Sequence, residues 1–336
     1  MSLTVVVPVH NGITTLPRCV AALEASTLPE GRWDLVIVDD GSTDDSAAWA
    51  REHGLEVRQV ADGPLGPAAA RNLGARGSTR DVVVFVDADV CVSPQTLERF
   101  ASLFEERPEL GAAFGAYDDQ PEHTGFVSQY RNLYHRYVHL HGAGPAETFW
   151  AGCGAVRRSA FEASGGFDEI RFPRPQIEDI ELGYRLRASG WPIELDPELE
   201  CRHLKAWTLG GVVTTDFRDR GVPWMALLLG GNHPPSLNID RAERIKTVAV
   251  GATLLALPWA AWIRSALPLL VGLLVLLAVT ASNAGLYRWF ARRRGSGFAL
   301  GVVPLNTLYY ATSFMAAVFG TVVYVGGRLS GRRPRP

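Results

Sequence analysis

The sequence predicts an α/β chain in which a mostly parallel, doubly wound sheet flanked by helices is followed by apolar C-terminal helices. Three observations carry this. Short β-branched runs alternate with stretches of helical spacing through the first ninety or so residues, the pattern of a parallel sheet. Acidic and amide residues stand just past several of those runs, where ligands bind in such sheets. From residue 245 onward the chain turns into long apolar stretches whose charges are all Arg or Lys.

The elements follow in order. Residues 3–9 are an apolar strand closed by Pro8 and Asn11-Gly12, and residues 13–25 carry helical spacing through Ile13, Leu16, Val20 and Leu23. Leu35–Val38 is a second strand ending at Asp39-Asp40-Gly41-Ser42, and Ser46–Arg51 reads as a helix. Leu55–Val60, Ala68–Ala75 and Val82–Val86 are strand, helix and strand, the last running into Asp87-Ala88-Asp89. From about 91 to 210 the alternation loosens into mixed material. A second acidic cluster, Glu178-Asp179, opens a stretch whose pairs Ile180/Tyr184 and Leu182/Leu186 fit a helix but also alternate as in a strand.

Composition excludes several classes. The 336 residues hold 33 Lys and Arg against 35 Asp and Glu, so no basic excess points to nucleic acid. Cys19, Cys91, Cys153 and Cys201 form no C-x-x-C pair, which argues against a zinc or redox site and for reduced thiols. The first residues read as a strand, not a signal peptide. No Gly-x-Gly-x-x-Gly follows that strand, as a nicotinamide dehydrogenase would want.

Residues 1–231 are expected as the catalytic domain. Asn232-His233-Pro234-Pro235-Ser236 is a turn-rich break within a linker over 232–244. Ile245–Ile263, Leu267–Leu286 and Phe298–Val325 are each near the roughly 20 residues needed to cross a bilayer. They predict two to four transmembrane helices within 245–327, three as the working number, before a basic tail at 328–336. The cluster Arg288–Arg294 would then be cytoplasmic, with the catalytic domain. Residues 212–230, a charged head followed by Trp224 and aliphatics, fit either an interfacial segment or a core helix.

The chemistry rests on the two acidic clusters. Carboxylates ending a buried strand are costly unless a cation or hydrogen-bond donors meet them. Asp87 and Asp89, at i and i+2, point the same way from an extended strand. Such a pair suits a hard divalent cation shared with substrate phosphates. A separate carboxylate, Asp179, is what a reaction needs when an acceptor hydroxyl must lose a proton. In a helical first turn its charge would be favoured by the free N–H groups. Arg71 offers a guanidinium able to reach a base or diphosphate.

Six ordered blocks carry a family resemblance. They are Val5–Gly12, Ile37–Asp44, Gly66–Gly74 with Arg71-Asn72, Val86–Asp89, Gly165–Glu169 and Ile177–Gly183. Over residues 3 to about 210 the chain resembles family 2 glycosyltransferases of the GT-A fold. The resemblance implies an inverting, metal-dependent transfer from a nucleoside-diphosphate sugar, with UDP as the expected nucleotide. It implies nucleotide contacts from Pro8, His10, Asn11, Asp39, Asp40, Arg71 and Asp87. It implies Mg²⁺ or Mn²⁺ on Asp89, with Asp87 as ribose or supporting partner and His203 completing the shell. Asp179 would be the general base, supported by Glu178. Trp150, Gly152, Cys153 and Asp168 would border the acceptor, and Lys205 or Arg218 would reach the diphosphate. The apolar tail points to a bilayer and a lipid-linked or glycan acceptor. A processive synthase would show Gln-x-x-Arg-Trp; residues 215–224 do not, which favours single transfer. Two other readings remain open here: transfer to polyprenyl phosphate, which needs no base, and a catalytically silent nucleotide-sugar-binding scaffold.

Overall fold

Seven β-branched or apolar residues at the start of the chain form β1 (Leu3–Val9), and its neighbours follow the predicted alternation: α1 (Leu16–Glu24), β2 (Trp33–Asp39), α2 (Ser46–Glu52), β3 (Glu56–Gln59), α3 (Pro67–Ala75) and β4 (Val82–Val86). Then come β5 (Val90–Val92), α4 (Thr96–Glu106), β6 (Ala112–Tyr117), α5 (Phe126–His141), β7 (Gly144–Ala146), β8 (Cys153–Arg157), α6 (Arg158–Ser164), α7 (Glu178–Ala188) and β9 (Ile193–His203). The computed structural model describes residues 1–231 and 240–330. It divides the chain into two units, Met1–Ala206 and Trp207–Pro336. The expected break at Asn232–Ser236 lies outside the described residues, as does the basic tail beyond Ser330.

The sheet of the first unit runs β3-β2-β1-β4-β8-β6-β9-β5, with β7 added to β9. β1 pairs in parallel with β2 and β4, and β2 with β3. Beyond β4 the expectation of a mostly parallel sheet is corrected. β8 is antiparallel to both β4 and β6, β6 is parallel to β9, and β5 and β7 are antiparallel to β9. The sheet is therefore mixed. Sequence periodicity reports burial on each face, not strand direction, so this half could not be oriented in advance.

That change of direction builds the site. Because β8 runs against β4, Val86 at the end of β4 faces Cys153 at the start of β8. Asp87 then donates its N–H to the Gly152 carbonyl at 3.2 Å. Because β9 runs against β5, His203 faces Val90, and Leu204 N–H reaches the Asp89 carbonyl at 2.8 Å. Three chain segments meet at one strand tip.

All five residues of β4 are buried, and β1 is buried but for a partly exposed Pro8. Leu16, Val20 and Leu23 from α1 and Leu97, Phe100 and Phe104 from α4 close over them as one apolar core. Each fully buried side chain of that size contributes on the order of 1.5–3 kcal/mol. On α3, Gly74 lies so close to β1 that an added Cβ would sit 2.2 Å from Val6 Cγ1. That close approach sets the position of Arg71 one turn earlier.

The second unit holds α8 (Leu209–Thr214), a π-helical turn (Thr215–Gly221), α9 (Val222–Gly230), α10 (Arg241–Thr253), α11 (Ala256–Ile263), α12 (Leu267–Ser282), α13 (Ala284–Arg294) and α14 (Ser296–Leu329). Residues 212–230 belong with this unit: an added Cβ on Gly221 would lie 2.5 Å from Ala316 Cβ, and one on Gly320 2.8 Å from Met225 Cβ. Small residues let these helices approach closely, as at membrane-helix contacts. Glu243, the last acid of the chain, accepts from Lys246 at 2.6 Å and from the Tyr310 hydroxyl at 2.8 Å. Asn283 accepts from Lys246 at 2.9 Å, so the network joins α10, the α12–α13 junction and α14.

The expectation of three spans is not met. The first apolar stretch breaks at Leu254–Leu255 into helices of 13 and 8 residues. The second bends by 58° between α12 and α13. Among the described residues, α14 is the one unbroken helix long and apolar enough to cross a membrane, and the bent pair could make a second. The break at Leu254–Leu255 is not legible in the sequence, because neither residue is Gly or Pro.

Candidate active site

Arg71 joins the two acidic clusters. Its Nη2 donates to Asp87 Oδ1 at 2.7 Å and its Nη1 to Glu178 Oε1 at 2.8 Å. Arg71 is 5% exposed and lies 5.5 Å from the Phe167 ring centre, so its charge is compensated inside the protein. A planar guanidinium can serve two carboxylates in different directions at once, which an ammonium cannot match. Glu178 is held further by Gln176 N–H on Oε2 at 2.9 Å. Each Nη thus gives one of its hydrogens to a carboxylate of the protein. Asn72 beside it ties α3 to the Gly165–Glu169 block, accepting from Phe167 N–H and donating to the Phe167 carbonyl, both at 2.9 Å.

Asp179 sits in the first turn of α7 with Glu178 and Glu181, which resolves the helix-or-strand ambiguity in favour of helix. Its Oδ2 accepts from Ala151 N–H at 3.1 Å and its Oδ1 from Ile180 N–H at 2.8 Å. Lost solvation, then repulsion from Glu178, raise its carboxyl from 3.8 to about 6, against the pull of Arg71. A carboxylate tuned toward neutrality is matched to taking a proton near pH 7. Lost solvation also raises Asp87, with Arg71 opposing and the Asp89 charge adding to the rise.

Asp89 and His203 face one another, with Oδ2 and Nε2 3.3 Å apart. Lost solvation would raise Asp89, but the hydrogen bond and charge of His203, with Lys205 behind them, hold it below the usual carboxylate range. No three His, Cys, Asp or Glu side chains among the described residues converge as a complete cage. One carboxylate oxygen and one imidazole nitrogen fit a divalent cation that takes its other ligands from phosphates and water. Asp87 is turned toward Arg71, and among the described residues it does not form a three-ligand group with this pair.

The residues expected to contact the nucleotide build two loops. Asn11, at φ 53°, accepts on Oδ1 from Thr43 N–H at 2.8 Å and Asp44 N–H at 3.3 Å. His10 Nδ1 meets the Asp40 carbonyl at 2.8 Å beside the partly exposed Pro8. Asp39 accepts from Ser42 N–H at 3.0 Å and Gln59 Nε2 at 3.1 Å; Asp40 accepts from Leu65 and Gly66 N–H, both at 2.8 Å. Both carboxylates are therefore committed to turns, though each oxygen keeps a second lone pair.

On the other side, Ala151 places Trp150 and Gly152 next to Asp179. Trp150 packs edge-on against Tyr117 at 5.0 Å and tilted against His135 at 4.8 Å. A Cβ on Gly152 would lie 2.5 Å from the Trp150 ring. Cys153, expected to border the acceptor, is fully buried in the core beneath the sheet, because its side chain takes the inward face of β8. Asp168 accepts from Arg171 N–H at 3.0 Å within its own loop. Lys205 is exposed. Arg218, in the second unit, pairs with Asp219 at 2.8 Å.

One residue of the site escaped sequence reasoning. Asn132 on α5 binds His203 Nδ1 at 2.8 Å. Its only signal was a buried-face amide in a helix of aromatics, which reads equally as packing.

Residues 4–165 match the model of the glycosyl transferase family 2. The chain carries a family 2 glycosyltransferase domain. The chain is 29% identical over 230 residues to a validoxylamine A glucosyltransferase of Streptomyces hygroscopicus subsp. jinggangensis, covering 58% of this chain and 54% of the relative. An undecaprenyl-phosphate 4-deoxy-4-formamido-L-arabinose transferase of Pseudomonas aeruginosa is 35% identical over 102 residues, covering 29% and 30%. The chain thus spans about half the length of the first of these relatives or less. A mannosyltransferase of Pyrobaculum calidifontis, solved with GDP-Man and Mn²⁺, has a similar structure, with a TM-score of 0.63 at 20% identity over 95% of this chain and 86% of that one. At that identity the likeness is one of fold. It agrees with a GT-A-like mixed sheet in the family 2 domain.

Proposed function

We propose that this chain is an inverting, non-processive glycosyltransferase that moves a sugar from a nucleoside-diphosphate sugar to a hydroxyl of a glycan or lipid-linked acceptor. The observation that carries the reading is the single buried arginine shared by Asp87 and Glu178. It holds the strand tip and the start of α7 at one place, so Asp89 and Asp179 serve one reaction centre. A divalent cation, Mg²⁺ or Mn²⁺, on Asp89 and His203 would neutralise charge on the departing diphosphate. Asp179 takes the acceptor proton as the acceptor oxygen attacks from the face opposite the diphosphate; one displacement inverts the anomeric carbon. The two backbone N–H bonds on Asp179 fix its direction, and Glu178 keeps it from ionising too readily. The loops shaped by Asn11, Asp39 and Asp40 would receive the nucleotide, with UDP the first candidate.

Asp89→Ala is expected to abolish metal-dependent nucleotide binding while leaving the fold intact. Calorimetry with UDP-, GDP- and dTDP-sugars, with and without Mn²⁺, checks this. Metal-independent binding of every nucleotide, unchanged in the variant, would remove the reading and favour a silent scaffold.

The second unit supports a membrane location with the family 2 domain on the cytoplasmic side, where nucleotide sugars are made. Trp262, Leu267, Leu300, Val322 and Leu329 are each more than half exposed, and α14 carries no acidic residue. Exposed apolar surface of this extent seeks a lipid or protein cover. α14 would cross the bilayer, the bent pair α12–α13 would make a second pass or lie in the interface, and the shorter α10 and α11 would lie in the interface. Full-length protein is expected in the membrane pellet after alkaline carbonate washing; recovery in the supernatant would contradict it.

A further inference from the structure

Asn132 decides which nitrogen of His203 faces Asp89. Its Nδ2 donates to the Ser128 carbonyl at 3.0 Å, and a carbonyl can only accept. The amide is thereby oriented: a flip would set its oxygen against the Ser128 oxygen. Oδ1 therefore faces His203 Nδ1 at 2.8 Å and must accept, so Nδ1 carries the hydrogen. The ring plane is set independently by Tyr117, stacked parallel at 4.7 Å with 6° between planes. Asn132 is 2% exposed and His203 7%, so water does not compete for the bond. With Nδ1–H committed to Asn132, Nε2 is the nitrogen left facing Asp89 Oδ2, 3.3 Å away.

We infer that Asn132 is a positioning residue for the metal site: it holds His203 in the tautomer and direction that present Nε2, with Asp89, to a divalent cation. The inference rests on the metal-dependent reading above and adds the element that no acidic motif contains. It follows the general rule that a metal-binding imidazole donates its other N–H to an acceptor, and that loss of the acceptor weakens metal binding about 10–100-fold.

The test titrates Mn²⁺ into the full-length protein by electron paramagnetic resonance, with UDP and separately with GDP present. Pulsed spectra read the nitrogen hyperfine coupling from a ligating imidazole. Asn132→Leu removes the acceptor and is expected to weaken Mn²⁺ binding about 10–100-fold and to lose that coupling. Asn132→Asp keeps an acceptor for Nδ1–H and, with a proton on its other oxygen, a donor for the Ser128 carbonyl, and is expected to retain both. Unchanged affinity and coupling in Asn132→Leu would overturn the inference while leaving the proposed function standing. Equal loss in Asn132→Asp would reduce Asn132 to a packing role, and this variant decides the matter if the Leu variant does not fold. Mn²⁺ binding to the wild type without nitrogen coupling would also overturn it, with the metal reading intact. No Mn²⁺ binding to the wild type would remove both.

Discussion

Asp179→Asn lowers the rate of transfer to a hydroxyl acceptor by about 10²–10⁴-fold while leaving donor binding near that of the wild type. The amide is nearly the same shape and keeps an acceptor oxygen for Ala151 or Ile180 N–H, but it cannot take a proton. With the wild-type carboxyl raised to about 6, the active form is the deprotonated one, so activity falls roughly tenfold per pH unit below 6 and levels off above 7. The same shift has a stability consequence of opposite sense. Between 3.8 and about 6 the folded carboxyl holds its proton while the unfolded one has lost it, so folding is progressively disfavoured as pH rises through that window. At pH 7 the charge is a cost to the fold that Asp179→Asn removes, at the loss of one of the two N–H bonds, so the melting temperature of the variant should gain on that of the wild type as pH rises through that window. At pH 3 the variant should show only the cost of the lost N–H bond. An Asn variant that is both active and less stable would contradict this account of Asp179. A merely modest loss of activity would instead favour an acceptor that is already ionised, such as a polyprenyl phosphate.

Arg71→Leu is expected to be the most damaging substitution for the fold. Removing one member of a buried charged network leaves the others without compensation, at about 3–5 kcal/mol. Glu178 and Asp87 would face each other across an apolar side chain. The surviving folded fraction should also show its activity limb moved to higher pH, because Arg71 is the positive charge that offsets Glu178 at Asp179. Arg71→Lys is expected to rescue little: one ammonium cannot span both carboxylates as the guanidinium does. Denaturant midpoints and the pH–rate profile of the three proteins check both effects. A Leu variant of wild-type stability would show that the network contributes nothing.

Much of this was legible in the chain. Val82–Val86 announced a buried strand, and Asp87 and Asp89 past its end announced a costly group in need of a cation. The helix from Glu178 followed from Ile180/Tyr184 and Leu182/Leu186 once tertiary packing excluded the strand. What could not be read were contacts that depend on strand direction. β8 runs against β4, and that alone brings Ala151 N–H to Asp179 and the Gly152 carbonyl to Asp87. The ion pairs of Arg71 were not legible, because an isolated arginine gives no sign of carboxylates arriving from sixteen and a hundred and seven residues away. The burial of Cys153 is not legible in the chain, because a period-two pattern does not say which face of β8 is the core. Asn132 lies in a helix whose other residues are explained by packing, and only its partner on β9 gives it meaning.

Donor binding and transfer, measured side by side on the wild type, Asp89→Ala and Asp179→Asn, test the shared site most directly. Titration of the nucleotide sugar with Mn²⁺ should show binding lost in Asp89→Ala and kept in Asp179→Asn, with transfer lost in both. Transfer that survives in either variant, or binding lost equally in the two, would contradict a single centre divided between a donor-holding strand tip and an acceptor-facing base.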